Sequence, residues 1–95
     1  MKLTNEQVIN AFMNCQPANG GALVSDGQSL FSYNLRIAEH IRRNGSASTL
    51  VYDYSRGGDA FKSHTTSQHV GMVKRRVPRV NVVRVHEAKR AGLIT

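Results

Sequence analysis

The chain has 95 residues, 40% of them hydrophobic and 20% charged, and a formal net charge of +7. That length suits one domain with one modest core and leaves no room for two, and the composition is that of a globular chain rather than a disordered tail. No apolar run approaches the roughly 20 residues of a membrane span, Met1–Gln7 lacks the apolar stretch of a signal peptide, and the one cysteine, Cys15, can neither staple the fold nor build a zinc site; the expectation is a cytoplasmic protein with no membrane partner, metal or cofactor.

Thr4-Asn5-Glu6-Gln7 has the pattern of a capping box, and Val8, Ile9, Phe12 and Met13 fall on one helical face, so a helix is predicted over 5–15 with Cys15 as a small buried filler in its last turn. Pro17 and Asn19-Gly20-Gly21 then read as a flexible loop, Ala22-Leu23-Val24 as a short strand and Ser25-Asp26-Gly27 as a turn. In Phe31–Ala38 the apolar residues Phe31, Tyr33, Leu35 and Ile37 alternate with Ser32, Asn34 and Arg36, the pattern of one half-buried antiparallel strand. Asn44-Gly45 fits a type I′ hairpin turn, with 50–54 as the returning strand.

Ser55–Asp59 reads as a further turn and Ala60–Ser63 as a short strand. Thr65-Thr66-Ser67-Gln68 reads as a second capping box, opening a helix through Val70, Val73 and Val77 that Pro78 closes. On that helix Arg75, Arg76, Met72 and His69 are predicted opposite the valines. Val-rich 79–85 reads as a strand, and Glu87–Ala91 as a short helix stopped by Gly92. The predicted fold is therefore α+β: a small antiparallel sheet of four or five strands, with the N-terminal helix and the later basic helix packed on one face.

Charge is unevenly placed. Residues 61–95 hold Lys62, Lys74, Arg75, Arg76, Arg79, Arg84, Lys89 and Arg90 against Glu87 alone, and so carry the whole surplus. Such asymmetry makes a local positive field that draws anionic partners. Lys74, Arg75, Arg76 and Arg79 form a compact cationic cluster suited to phosphate backbones, which Arg84, Lys89 and Arg90 would extend. A merely solvated helix face and an acidic protein partner remain as the other two readings. Lys62, His64, Thr65, Thr66 and Ser67 form a second candidate anion site, because free N–H groups and hydroxyls at a helix start can hold a phosphate; self-capping is the competing use. The acids are scattered, His64 and His69 do not share a face as an i, i+4 metal pair would, and no serine has a nucleophile-elbow context. No catalytic residues are assigned, and a binding protein rather than an enzyme is expected.

The segments Leu30–Ala38, Tyr54-Ser55 and Phe61–His69 resemble small accessory proteins encoded by bacteriophages and other mobile elements, which share a strand of the form SYN..IA and a helix start of the form TTS.H. The resemblance covers about residues 22–76 and carries no site residues onto this chain. It implies a phage accessory gene, a class that often encodes stoichiometric inhibitors of host defence, including anti-CRISPR proteins. Two functions are therefore expected in order: nucleic-acid binding through the basic third, or inhibition of a host nucleic-acid-processing protein complex by docking on it. A homodimer through exposed strand edges is a further expectation.

Overall fold

Thr4 Oγ1 accepts the Gln7 backbone N–H at 3.2 Å while Gln7 Oε1 accepts the Thr4 N–H at 2.8 Å. The predicted capping box thus opens the first helix, α1 (Asn5–Met13), which buries Val8, Ile9 and Phe12. These coordinates come from a computed structural model that describes residues 2–55, 60 and 62–94, and of Arg43 only the backbone.

The helix stops two residues short of the predicted end. Cys15 takes a left-handed φ of 59°. Its N–H donates to the Phe12 carbonyl at 2.9 Å, and the Gln16 N–H donates to the Ala11 carbonyl at 2.8 Å. This pair of bonds is a Schellman cap, with cysteine in the place usually taken by glycine. Cys15 is therefore exposed, not the buried filler that helical periodicity suggests. The left-handed conformation costs an L-residue about 1–2 kcal/mol. Cys15→Gly is accordingly expected to stabilise the protein by about 1 kcal/mol and to raise Tm by roughly 4–8 °C in a thermal melt; a lowered Tm would show that the thiol makes a compensating contact.

Pro17–Asn19 is not a loop but β1, paired antiparallel with β2 (Leu23–Asp26) across Gly20-Gly21. Proline is tolerated there because β1 is an edge strand. Gly20 is fixed by packing rather than by flexibility: a Cβ on it would lie 2.9 Å from Val8 Cγ2 and 3.0–3.1 Å from the Leu3 and Leu23 carbonyl oxygens. The chain turns only after Asp26, whose carboxylate accepts the Ser29 and Gln28 N–H groups at 2.7 and 2.8 Å. Those bonds hold its pKa below the ordinary carboxylate range.

The alternation over 31–38 belongs to two strands, not one. β3 (Ser29–Ser32) and β4 (Leu35–Arg43) are joined by Tyr33 and Asn34, both at positive φ (50° and 68°) in a tight hairpin turn. Tyr33 is consequently 60% exposed rather than turned inward. Pairing of Leu30 with Ala38 but Phe31 with Arg36 leaves Ile37 as the extra residue of a β-bulge. The bulge buries Ile37 and Ala38 together. It also brings Arg36 and Glu39 onto one face, where they form a 3.5 Å ion pair. Tyr52 donates its hydroxyl to Glu39 at 2.5 Å, and burial, helped by that carboxylate, pushes the phenol well above its ordinary pKa.

The Asn44-Gly45 hairpin forms as predicted (φ 52° and 81°), and β5 (Ser46–Tyr52) returns from it. The expected turn at 55–59 and strand at 60–63 fall largely on Arg56–Asp59 and Phe61, outside the described residues; Lys62 and Ser63 belong to no strand. The next helix, α2 (His64–Lys74), starts earlier than the predicted box. Its cap is Ser63, whose Oγ accepts the Thr66 N–H at 3.1 Å. It ends before Val77 rather than running through it. The Val-rich run splits into a 3-10 turn (Arg79–Asn81), a two-residue strand β6 (Val82–Val83), and the start of α3 (Val85–Arg90), which Gly92 at φ 77° follows.

Among the described residues the result is α+β with six strands in the order β1-β2-β3-β4-β5-β6, more than the four or five expected. The sheet is mixed, because β6 runs parallel to β5 while every other pair is antiparallel. The register places Leu23, Ser25, Leu30, Ser32, Ala38, His40 and Val51 on one face. Helix α1 meets that face at His40 and α2 meets it at Ser32. On the other face Ile41, Leu50 and Val83 line a recess together with Glu87, Ala91 and Leu93, so α3 covers the opposite side at the β5–β6 end. Both sheet edges are short, three residues at β1 and two at β6, which limits edge-to-edge pairing.

Candidate nucleic-acid interface

The basic third does not form one helix face. Lys74 closes α2, Arg75 is its C-cap and Arg76 follows, Arg79 opens the 3-10 turn, Arg84 precedes α3, and Lys89 and Arg90 end it. α2 and α3 lie on opposite faces of the sheet, so these cations fall in separate groups: Arg75 and Arg76 at the end of α2 border α1, where they share a recess with Glu6 and Ile9, Arg84, Lys89 and Arg90 flank α3, and Arg79 lies on the turn between. All six are exposed. Among the described residues none of the six is within ion-pair distance of a carboxylate.

Lys74 differs from its neighbours. It is half-buried, its Nζ sits 3.4 Å from Asp53 Oδ1 and 3.5 Å from Ser55 Oγ, and Asp53 also accepts from the Ser55 hydroxyl. Lys74 therefore ties α2 to the end of β5. Arg76 donates from Nη1 to Asn10 Oδ1 at 2.6 Å, linking the end of α2 to α1 while its charge stays uncompensated. Lys74, Lys89 and Arg90 also stand in the last turns of their helices, where the negative end of the helix dipole favours a cation whatever the ligand. That explanation does not reach Arg79 or Arg84.

The candidate anion site at the start of α2 is not assembled as an open cradle. Thr66 is buried, with Oγ1 3.0 Å from Ser32 Oγ, and Ser32 Oγ lies 2.7 Å from His69 Nδ1. Ser63 caps the helix, while the exposed His64 shares a contact with Gln68 at 3.3 Å. Thr65 is half-buried, Ser67 has its own partner, and Lys62 is exposed just upstream. Thr66 and His69, read from the sequence as a cap residue and an outward residue, are thus interior. Together with Val70 and Val73 they make an i, i+3, i+4, i+7 stripe. A helical wheel begun at Ser67 leaves Thr66 out of this stripe and groups His69 with Arg75, Arg76 and Met72 instead of with the valines.

His69 gives a pH signature. Burial holds its imidazole below the ordinary histidine pKa. The unfolded chain takes up this proton near pH 6.5 while the folded chain resists it, so stability is full above about pH 6.5 and falls as the pH drops through that value. The Asp26 contribution is lost only lower, beneath the ordinary carboxylate pKa. Tm is expected to be lower at pH 5 than at pH 7.5, with a smaller difference in His69→Gln; the same difference in that variant would assign the effect to another group.

A groove lies on the α1/α2 face beyond the end of α1. It encloses about 620 Å³ between Met13 and Cys15 on one wall and Arg76, Val77 and Pro78 on the other. Its floor is the β4–β5 hairpin at His40, Ala47 and Thr49. Cys15, His40 and Ala47 also line an adjoining recess of about 350 Å³ that leads to Arg42. No sequence signal pointed here, since the walls come from segments some 60 residues apart in the chain. His40 is held on three sides. Its ring stacks on Phe12 at 4.2 Å between centroids, Nε2 donates to the Phe12 carbonyl at 2.6 Å, and Nδ1 pairs with Thr49 Oγ1 at 2.7 Å. A carbonyl only accepts, so Nε2 carries a proton; with both nitrogens engaged, the ring is poorly placed to act as a base toward Cys15.

Of the aromatic residues that could stack on bases, Tyr52 and Tyr54 are core, and Phe31 is half-buried with the Arg36 guanidinium 5.7 Å from its ring centre. Tyr33 alone among these described rings is largely exposed, tilted toward His69 at 6.1 Å. Comparison of the chain with family models, curated proteins and solved structures finds no match.

Proposed function

We propose that the protein acts by binding nucleic acid, through the exposed cations of its last third. The observation that carries this reading is the exposure of Arg75, Arg76, Arg79, Arg84, Lys89 and Arg90 without a carboxylate partner among the described residues. A solvated protein surface ordinarily mixes both signs, and six exposed cations with no ion-pair partner among the described residues of a small domain create a field that concentrates polyanions. The guanidinium groups supply charge and paired donors to phosphate oxygens, contacts that position a strand without reading its sequence. The protein has the character of a phage-type accessory module that works stoichiometrically, with no chemical step assigned.

The test is binding of random-sequence single-stranded and duplex DNA at about 50 mM salt. Saturable binding that varies little between sequences, and that weakens to a similar degree for every sequence in Arg75→Ala/Arg79→Ala, supports the reading. Absence of binding at that salt overturns it in favour of docking on a host protein complex. Arg79 and Arg75 are chosen because neither makes a hydrogen bond that the fold depends on, unlike Lys74 and Arg76.

A further inference from the structure

Resting on that reading, we infer that the groove at the end of α1 is the track of a single-stranded segment, with Arg76 and Arg42 holding its phosphates and the His40 ring receiving a base. Three features of the groove point to this occupant.

The first is charge. The two recesses share Cys15, His40 and Ala47 and so adjoin as a channel, with Arg76 lining one and Arg42 the other. Among the described residues no aspartate or glutamate lines either part. A channel with cations along it and no carboxylate is complementary to a phosphodiester chain.

The second is the apolar wall. Met13, Val77 and Pro78 offer contact surface between the cations. A duplex shows a groove of this kind only its phosphates and sugars, because its bases are stacked inside. An unpaired strand can turn a base into it and bury apolar surface.

The third is His40. One face of the imidazole is covered by Phe12, and both nitrogens are taken by Phe12 and Thr49, yet the ring lines both recesses. What it presents to the channel is therefore a planar face rather than an acid–base group. Histidine is among the side chains on which splayed bases stack, and a ring already immobilised loses little freedom when a base arrives.

Cys15 makes the proposal measurable. It is the only thiol in the chain, it is exposed, and it lines the channel. The probe is an oligothymidylate of about twelve nucleotides, within the 4–16 that small single-strand sites cover. With the oligonucleotide saturating, alkylation of Cys15 by iodoacetamide should slow by about tenfold or more, whereas a duplex of equal length should bind and leave the rate unchanged. Arg42→Ala should weaken oligothymidylate binding about fivefold to tenfold; the Arg42 side chain is exposed and makes no hydrogen bond or ion pair among the described residues, so loss of fold does not complicate the result. Arg84→Ala/Arg90→Ala should weaken binding while leaving protection at saturation intact. Saturable oligothymidylate binding with an unaltered alkylation rate would overturn the channel while sparing nucleic-acid binding itself. Equal protection by the duplex would overturn the assignment to single strands. Failure of both probes to bind at low salt would remove the underlying reading as well.

Discussion

Raising salt from about 50 to about 200 mM is expected to weaken binding by about 300-fold or more for a random single strand and by about a thousandfold or more for a duplex. The figures follow from counterion release. Each phosphate neutralised returns about 0.7 of a condensed cation from a single strand and about 0.9 from a duplex. The six exposed cations that no described carboxylate pairs, Arg75, Arg76, Arg79, Arg84, Lys89 and Arg90, then give a log–log slope of about −4 for a single strand or about −5 for a duplex, and Arg42 in the channel steepens the first by about 0.7. Lys74 is left out of this count because Asp53 already neutralises it. The slope also reports geometry. With the cations divided between the end of α2 and the surroundings of α3, a ligand that engages one group alone would show about half the slope. Fluorescence anisotropy across five salt concentrations distinguishes the two cases, and a slope near zero would show that the cations take no part.

That count shows how unevenly the sequence revealed the molecule. Local signals were legible: the Thr4–Gln7 box, the Asn44-Gly45 turn and the Gly92 stop each depend on residues within four positions of one another, and each is present. The misreadings occurred where a long-range contact overrides the local pattern. Alternation over 31–38 is real in the residue types, but the hairpin at Tyr33-Asn34 overrides it: Ser32 pairs with Leu35 on one face and Phe31 with Arg36 on the other, so the polar Ser32 is buried. Ile37 is displaced by a bulge that no periodicity encodes. β1 contains a proline and precedes two glycines, so it looked like loop; only its place at a sheet edge makes it a strand.

The same distinction governs the candidate site. Surplus charge in the last third is a property of composition and needed no fold to be seen. Its division between two faces required knowing that the chain passes from α2 through β6 to α3 around the sheet end. The channel was invisible for a stronger reason. His40 and Arg42 are alternate residues of β4 while Cys15 lies 25 positions before His40, and the feature that joins Cys15 to His40, the carbonyl of Phe12, is a backbone atom.

Phe12 is the residue on which both the core and the channel depend, and Phe12→Ala is expected to cost about 3–5 kcal/mol. Its side chain is fully buried in the last turn of α1, within the cluster that includes Leu23, Leu30 and Val73. Truncation removes the ring's transfer free energy and leaves a cavity that the surrounding strands can close only in part. Domains of this size are stable by about 5–15 kcal/mol, so this loss is a large fraction of the total, and Tm should fall by roughly 12–40 °C at 4–8 °C per kcal/mol. Phe12→Leu keeps most of the volume and should cost less than half as much, although it too removes the stack beneath His40. The Leu variant therefore separates the two roles of the residue. Its Tm should fall less than half as far as that of Phe12→Ala, while oligothymidylate affinity should drop severalfold because the His40 ring loses its backing. Equal affinity in a folded Phe12→Leu protein would show that the ring is held well enough by the Phe12 carbonyl and Thr49, and that the stack contributes to the core alone.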